Sequence, residues 1–303
     1  MSLKHPFRTG VLGLVAAVVA TWSSAYACEL SIARVDVDRS LVYEPFSGMA
    51  TIADLEVELV NTGSDPCLAS VAAQSDDRGP QRRLRFGAGA LRYELSLAAG
   101  QVFENDANAP IGDIRVIEGA GGGATVTLRL EIGRGQIVES GVYSDRLRLV
   151  AFAIVGGVRR IADQEDVVVA AHVEPSAQIN IAGAGAARSG FSSASIDFGE
   201  LEPGERRRTV LQVRSTGPVS VVLASANSGQ LRQATRPDLA GIPYEIIFDR
   251  EVVDLESGWA TVNRSPTISA RGSSYPLVVR IGDFGARAAG RYEDTITISV
   301  TAE

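Results

Sequence analysis

Three short segments recur in the same order about 150 residues apart. Leu91-Arg92-Tyr93-Glu94-Leu95 returns as Ile242-Pro243-Tyr244-Glu245-Ile246 at an offset of 151. Gly141-Val142-Tyr143-Ser144-Asp145 returns as Gly290-Arg291-Tyr292-Glu293-Asp294 at 149, and Val60-Asn61-Thr62-Gly63 as Arg214-Ser215-Thr216-Gly217 at 154. Ordered matches at a nearly constant offset mean two tandem copies of one domain, each of ordinary domain size. The stretch around Glu174-Pro175-Ser176 is the expected joint, which divides the body into residues 28–174 and 175–303.

Each copy reads as strands. Leu30-Ser31-Ile32, Leu55 to Val60, Thr125 to Ile132 and Leu147 to Phe152 alternate apolar with polar residues. Turn clusters separate them: Asn61 to Pro66, Gly119 to Gly123 (expected to be a hairpin loop) and Gly133-Arg134-Gly135. No window carries a long amphipathic helical pattern, so the class expected is an all-β sandwich. The copies end differently. After Tyr292 comes one alternating run, Thr295 to Thr301, with Ile296, Ile298 and Val300 on one face. After Tyr143 the equivalent run is followed by a turn at Gly156-Gly157 and by a further strand in which Val167, Val169, Ala171 and Val173 share a face. The second copy is therefore expected to lack a final strand. Such an edge leaves main-chain groups unpaired and invites a strand from another chain.

Residues 1–27 read as a secretory leader. Lys4, His5 and Arg8 precede the apolar run Val11 to Thr21, and Ala25-Tyr26-Ala27 is a small-x-small cleavage site. Cleavage there removes Lys4, the only lysine, together with Arg8, and moves the net charge from −7 to −9. That acidic balance argues against nucleic acid as a partner. Export puts the only two cysteines, Cys28 and Cys67, in an oxidising compartment, where a disulfide is expected. Ala25-Tyr26-Ala27 lacks the large aliphatic residue that a lipoprotein peptidase reads, which favours the disulfide over lipidation of Cys28.

Motifs for chemistry are sparse. Two cysteines and two histidines provide no multi-ligand zinc site, haem attachment or iron–sulfur cluster. His172 falls in an apolar run and is expected to face solvent rather than act as a base, and no Gly-x-Ser-x-Gly elbow exists. Gly119 to Ala124 precedes a strand rather than a helix, which excludes a dinucleotide loop. Asp36-Val37-Asp38 lacks the rest of a calcium loop. Gln81-Arg82-Arg83 and Arg206-Arg207-Arg208 are expected to be solvated turns. No cofactor, metal or catalytic residue is expected.

The repeated Gly-x-Tyr-x-Asp ends, the mid-domain Tyr93 and Tyr244, and the terminal Thr-Ile-Thr-Ile-Ser-Val-Thr run resemble the spore coat protein U family, the subunit type of archaic chaperone–usher pili. The resemblance implies two tandem immunoglobulin-like β-sandwiches, the C-terminal one lacking its last strand. Its donor-strand groove would be lined by Tyr292, Ile296, Ile298 and Val300. Expected partners are a periplasmic chaperone, an outer-membrane usher, a next subunit that donates a strand, and an unknown surface or receptor. With no donor segment ahead of Leu30, the chain is expected at the pilus tip on the cell surface, residues 28–174 acting as the adhesin. The absence of cysteine from the second copy departs from many family members and leaves that domain to rely on packing alone. Two alternatives stand beside this: a secreted, stand-alone carbohydrate-binding or hydrolytic β-sandwich, and a two-domain periplasmic chaperone.

Overall fold

The computed structural model describes residues 28–37, 41–77, 79–97, 100–182 and 193–303. The leader expected at 1–27, and Asp38, lie outside them. Every helix or strand assigned among the described residues is a strand.

The first ten are β1 (Leu30–Val37), β2 (Val42–Tyr43), β3 (Thr51–Asn61), β4 (Cys67–Ser75), β5 (Arg82–Phe86), β6 (Gly89–Leu97), β7 (Ile111–Ile117), β8 (Gly122–Ile132), β9 (Gly141–Val155) and β10 (Val158–Val173). One layer runs β1-β3-β8-β6 and the other β7-β4-β9-β10-β2. β5 joins them, pairing along β6 and touching β9 only at Arg85–Ser144. These are the ABED and CFG layers of an immunoglobulin sandwich, with β2 as a short extra piece beside the last strand. Alternation sets the faces. In β3, Leu55, Val57 and Leu59 point into the core while Asp54, Glu56 and Glu58 point out. They meet Leu128 and Leu130 of β8 and, from the opposite layer, Val71, Ala73, Leu147 and Leu149 in one cluster.

The second ten are β11 (Ala177–Ile181), β12 (Arg206–Ser215), β13 (Val219–Ser225), β14 (Gln230–Gln233), β15 (Ile242–Phe248), β16 (Glu251–Val253), β17 (Trp259–Arg264), β18 (Ser273–Ile281), β19 (Tyr292–Glu293) and β20 (Ile296–Ala302). They enclose a separate core built on Leu211, Val213, Val221, Leu223, Ile246, Phe248 and Leu277. The layer β11-β12-β18-β15 repeats β1-β3-β8-β6, and β17-β13-β20 repeats β7-β4-β9. No counterpart of β10 or β2 occurs among the described residues.

Two expectations need correction. The glycine run is not a hairpin loop: β7 pairs with β4, while β8 pairs with β3 and β6, so residues 118–121 cross between layers. The crossing is zipped onto the preceding turn by Ala120 N–H donating to Gly63 O (2.6 Å) and Gly121 N–H to Asn61 O (2.8 Å). Nor are the arginine clusters turns. Arg206 to Arg208 lie in β12, and Arg82 lies in β5 with only 4% of its surface exposed. Its two terminal nitrogens donate to Phe103 O (2.6 Å), Ala73 O (2.7 Å) and Glu104 O (2.5 Å), so a buried cation is held by three carbonyls from two segments.

Cys28 and Cys67 form a disulfide with a Cα–Cα distance of 5.4 Å, tying the segment ahead of β1 to the start of β4. A closed loop of this separation, 39 residues, stabilises by about 4 kcal/mol in the chain-entropy model. Cys28→Ser with Cys67→Ser, or reduction, is therefore expected to lower the calorimetric transition of the first sandwich by more than 10 °C or so. The transition of the cysteine-free second sandwich should stay in place; equal shifts in both would show that the two do not melt separately.

Candidate functional site

The feature that sets the second copy apart is the outer edge of β20. The Thr-Ile-Thr-Ile-Ser-Val-Thr alternation makes it a strand with one apolar face. β13 holds it antiparallel from Val219↔Ala302 to Ser225↔Ile296. On its other side no strand pairs with it among the described residues. β11 runs beside it without joining its ladder, and Ile179 and Ile181 of β11 lean partly buried on the same core.

A side-chain hydrogen bond identifies this strand as the equivalent of β9. Tyr143 Oη donates to Glu139 O (2.8 Å), and Tyr292 Oη donates to Ala288 O (2.9 Å), each reaching four residues back. This is the tyrosine corner at the start of an immunoglobulin F strand. The glycine two residues before each tyrosine is required. Gly141 and Gly290 have φ of 150° and 151°, and a Cβ on either would collide with a side chain, Phe86 or Gln233 respectively. The equivalence can then be followed along the strand: Leu147, Leu149 and Ala151 correspond to Ile296, Ile298 and Val300. The first three are wholly buried, at 0% exposure each. The second three are half-buried. In the first sandwich β10 lies alongside β9, pairing Ala171 with Tyr143, Val169 with Asp145 and Val167 with Leu147. Tyr292, too, is half-buried where Tyr143 is not exposed at all. All four residues expected to line a groove thus lie along one edge, packed on one core.

Beside each corner sits a buried polar pair. Tyr93 Oη donates to Asp145 Oδ2, and Tyr244 Oη to Asp294 Oδ2, both at 2.6 Å. Desolvation, reinforced by the adjacent carboxylate, raises both phenol pKa values well above the ordinary tyrosine range. Sequence reading missed the residues that complete these pairs. Ser225 Oγ donates to Asp294 (2.6 Å) and accepts from Asn227 N–H (3.2 Å); its counterpart Ser75 accepts from Asp77 N–H (3.1 Å). Arg82 supplies a positive charge near Tyr93 and Asp145 in the first copy, where the second has Gly229. His172 is exposed on β10. Among the described residues no group of three or more His, Cys, Asp or Glu side chains converges as a metal site.

No protein-family profile matches the chain, and no curated protein matches it. Among solved structures it is similar to the CsuC–CsuE chaperone–tip adhesion subunit pre-assembly complex from archaic chaperone-usher Csu pili of Acinetobacter baumannii, at 15% identity over 88% of this chain and 100% of that one, TM-score 0.47. It is similar to the CupB6 tip adhesin from Pseudomonas aeruginosa, at 12% identity over 89% and 92% of the two chains, TM-score 0.38. It is also similar to CfaE, the adhesive subunit of CFA/I fimbria of enterotoxigenic Escherichia coli, at 14% identity over 50% of each chain, TM-score 0.32.

Residues 28–303 contain no lysine, and both cysteines are bonded. From about pH 9 to pH 12 the side chains that titrate are therefore the tyrosines. Because the folded pKa values are raised, their contribution to stability is complete below the ordinary value of about 10 and is lost as pH rises through the folded values. Denaturant titrations from pH 8 to pH 11 should show stability falling above pH 10, with a shallower fall in Tyr93→Phe and Tyr244→Phe. At pH 8 each variant should lose about 1–2 kcal/mol for the missing hydrogen bond. An unchanged alkaline slope in both would refute the assignment.

Proposed function

We propose that this chain is a subunit of a chaperone–usher fibre, of the spore coat protein U kind, with residues 175–303 as a strand-accepting domain and residues 28–174 as the adhesive one. One observation carries this: three aliphatic side chains that are wholly buried in the first sandwich are half-buried at the same positions in the second, along a strand whose outer edge pairs with no other strand among the described residues. Completing their burial is worth about 1 kcal/mol each, and the free N–H and C=O groups add hydrogen bonds along the edge. A periplasmic chaperone, then a next subunit delivered at an outer-membrane usher, would supply the missing strand in turn.

Orientation supports a place at the fibre end. The Ala302 end of β20 meets the junction between sandwiches, where Gly217 sits between Glu303 and Ser140, and Ser140 N–H donates to Thr216 O (2.8 Å). A strand antiparallel to β20, as β10 is to β9, leaves the groove at the Tyr292 end, away from the first sandwich. Processing after Ala27 would set the new amino terminus at Cys28, whose sulfur is held by Cys67, so no free segment ahead of β1 is left for donation. Export through the periplasm to the cell surface follows from the same assignment. Immunogold labelling with antibody to residues 28–174 should mark one end of surface fibres, and Ile298→Asp should abolish the label while the chain is still exported. A monomer free in the medium, with fibres unlabelled, would favour the stand-alone carbohydrate-binding or hydrolytic protein instead.

The far end of the first sandwich offers a contact face. β9 spans roughly 46 Å from the junction at Gly141 to Val155. Near that end Leu68, opposite both Val116 and Ile154, is 40% exposed; Val116 is 60% and Ile161 52% exposed on the same face. We take this row as the candidate contact surface. Among loop residues of this sandwich, Met49 is exposed, whereas Phe103 is buried. Leu68→Ser with Val116→Ser and Ile161→Ser should leave the melting profile intact and cut retention on a phenyl matrix severalfold; unchanged retention would remove this face from the adhesive role.

A further inference from the structure

The two copies treat one sheet face in opposite ways. On the outward side of β4 and β9, Ser70, Ala72, Val150 and Phe152 are each at most 5% exposed, and Ala107, from the segment after β6, packs against the last three. That segment is anchored to β4 where Asn105 Oδ1 accepts from Ser75 N–H (2.7 Å). With Ser225 in the place of Ser75 and Ile296 in that of Leu147, the same register puts Ser220, Val222, Ser299 and Thr301 at these positions in the second copy. Ala224 and Thr297 continue the rows, and β17 adds Trp259, Thr261 and Asn263 opposite Ala224, Val222 and Ser220. The outward side chains of β17 and β20 are exposed and those of β13 half-buried. None is charged, in a chain where 21% of residues are, and Trp259 shows 59% of its surface. Its backbone is held from both sides: Ser257 Oγ donates to Trp259 O (2.9 Å), and Gly258 O accepts from Ser225 N–H (2.8 Å).

We propose that the outward face of β17-β13-β20 binds an extended, uncharged polysaccharide. The first copy covers this face with its own chain; the second puts Ser299 and Thr301 where the first has Val150 and Phe152, and presents them to an outside partner. Charge selects the class of that partner. Residues 28–303 carry a net −9, so an anionic polymer is repelled, while the face offers a cationic one no carboxylate. Size argues against a protein. Strand spacing and residue rise give the face about 10 Å by 14 Å, well short of the roughly 800 Å² that each side of a stable protein contact buries. A sugar chain matches both the footprint and the chemistry. The C–H face of a pyranose stacks on an exposed aromatic ring. Its hydroxyls both donate and accept, as do the Ser and Thr hydroxyls and the Asn263 amide. An open sheet face suits a ribbon-like polymer rather than a bulky branched one. The site is a face of β20 and not its edge, so it stands whether or not that edge accepts a strand.

The test uses the exported chain, with amorphous cellulose for retention and cellohexaose for titration. Trp259 is the only tryptophan beyond residue 27, so its emission reports occupancy of the face directly. The chain should be retained on cellulose but not on immobilised alginate, an anionic polymer, and cellohexaose should shift the emission to the blue. Trp259→Ala should weaken retention about tenfold or more. Thr261→Glu with Ser299→Glu should abolish both retention and the emission shift while the calorimetric profile is kept. Val252→Ser, which removes an equally exposed apolar side chain (61%) from β16, should change neither. Retention that survives both face variants, equal retention on alginate, or no retention and no shift would overturn the proposal. So would a dimer that Trp259→Ala dissolves, with cellulose left unbound, which would make the face a contact between copies. Strand acceptance at β20 stands in each of these cases.

Discussion

A strand in the middle of a sandwich layer buries one face only if the sheet continues on its far side. Neighbouring strands lie less than 5 Å apart, so the side chains of the next strand form the wall that keeps water from the apolar row. β9 meets this condition, whereas among the described residues β20 has no strand on its far side. β10 does two things at once for the first sandwich: it covers the core with Val169, Ala171 and Val173, and it pairs the main chain from Gly141 to Val155. Both tasks are outstanding along β20. The second sandwich has no disulfide with which to offset the deficit, whereas the first, already closed, carries one.

The incomplete copy keeps its polar framework. Gly290, the Tyr292 corner, the Tyr244–Asp294 pair and Ser225 each have a counterpart, in Gly141, the Tyr143 corner, Tyr93–Asp145 and Ser75. These contacts fix the start of the F strand through bonds to preceding turns and to the neighbouring layer, none of which involves a G strand. The edge is therefore held in place by contacts within the second sandwich, and a strand entering there would meet a wall already in position. Preorganisation of this sort lowers the ordering cost of association. Where the copies differ, they differ in charge. Arg82 is buried among carbonyls in the first, whereas the second uses the Ser225 hydroxyl and main-chain donors around Gly229.

What could be read from the chain beforehand follows the range of the interactions. Ile296, Ile298 and Val300 declare themselves through a period of two, and the paired cysteines through composition and export. Gly-x-Tyr-x-Asp is legible because its three residues stand close together and recur in both copies, and because the tyrosine corner reaches only four residues back; the contacts of the glycine with Phe86 or Gln233 and of the aspartate with Tyr93 or Tyr244 are not legible. Arg82 is not legible in the same way. Its acceptors come from Ala73, Phe103 and Glu104, so a basic triplet that looks solvated becomes a buried bracket only when three separate segments converge. Residues 118–121 mislead for a related reason. Glycine permits a hairpin and a crossing equally, and the choice is made by Asn61 and Gly63, some 60 residues away, whose carbonyls accept the loop's N–H groups.

The position of β10 in the chain bears on how such a molecule can be extended. A closing strand that belonged only to the first sandwich could be followed by a linker of any length, because loop length costs little. The linker here is three residues, and Thr216 of the second sandwich bonds it directly. The strand that fills one groove thus also sets the distance and orientation of the next sandwich. At the far end of the molecule β20 repeats the open condition, with its tyrosine corner turned away from the first sandwich. A partner entering there by the same rule would be placed as the second sandwich is placed on the first. Strand insertion would then determine the geometry of the joint as well as its strength.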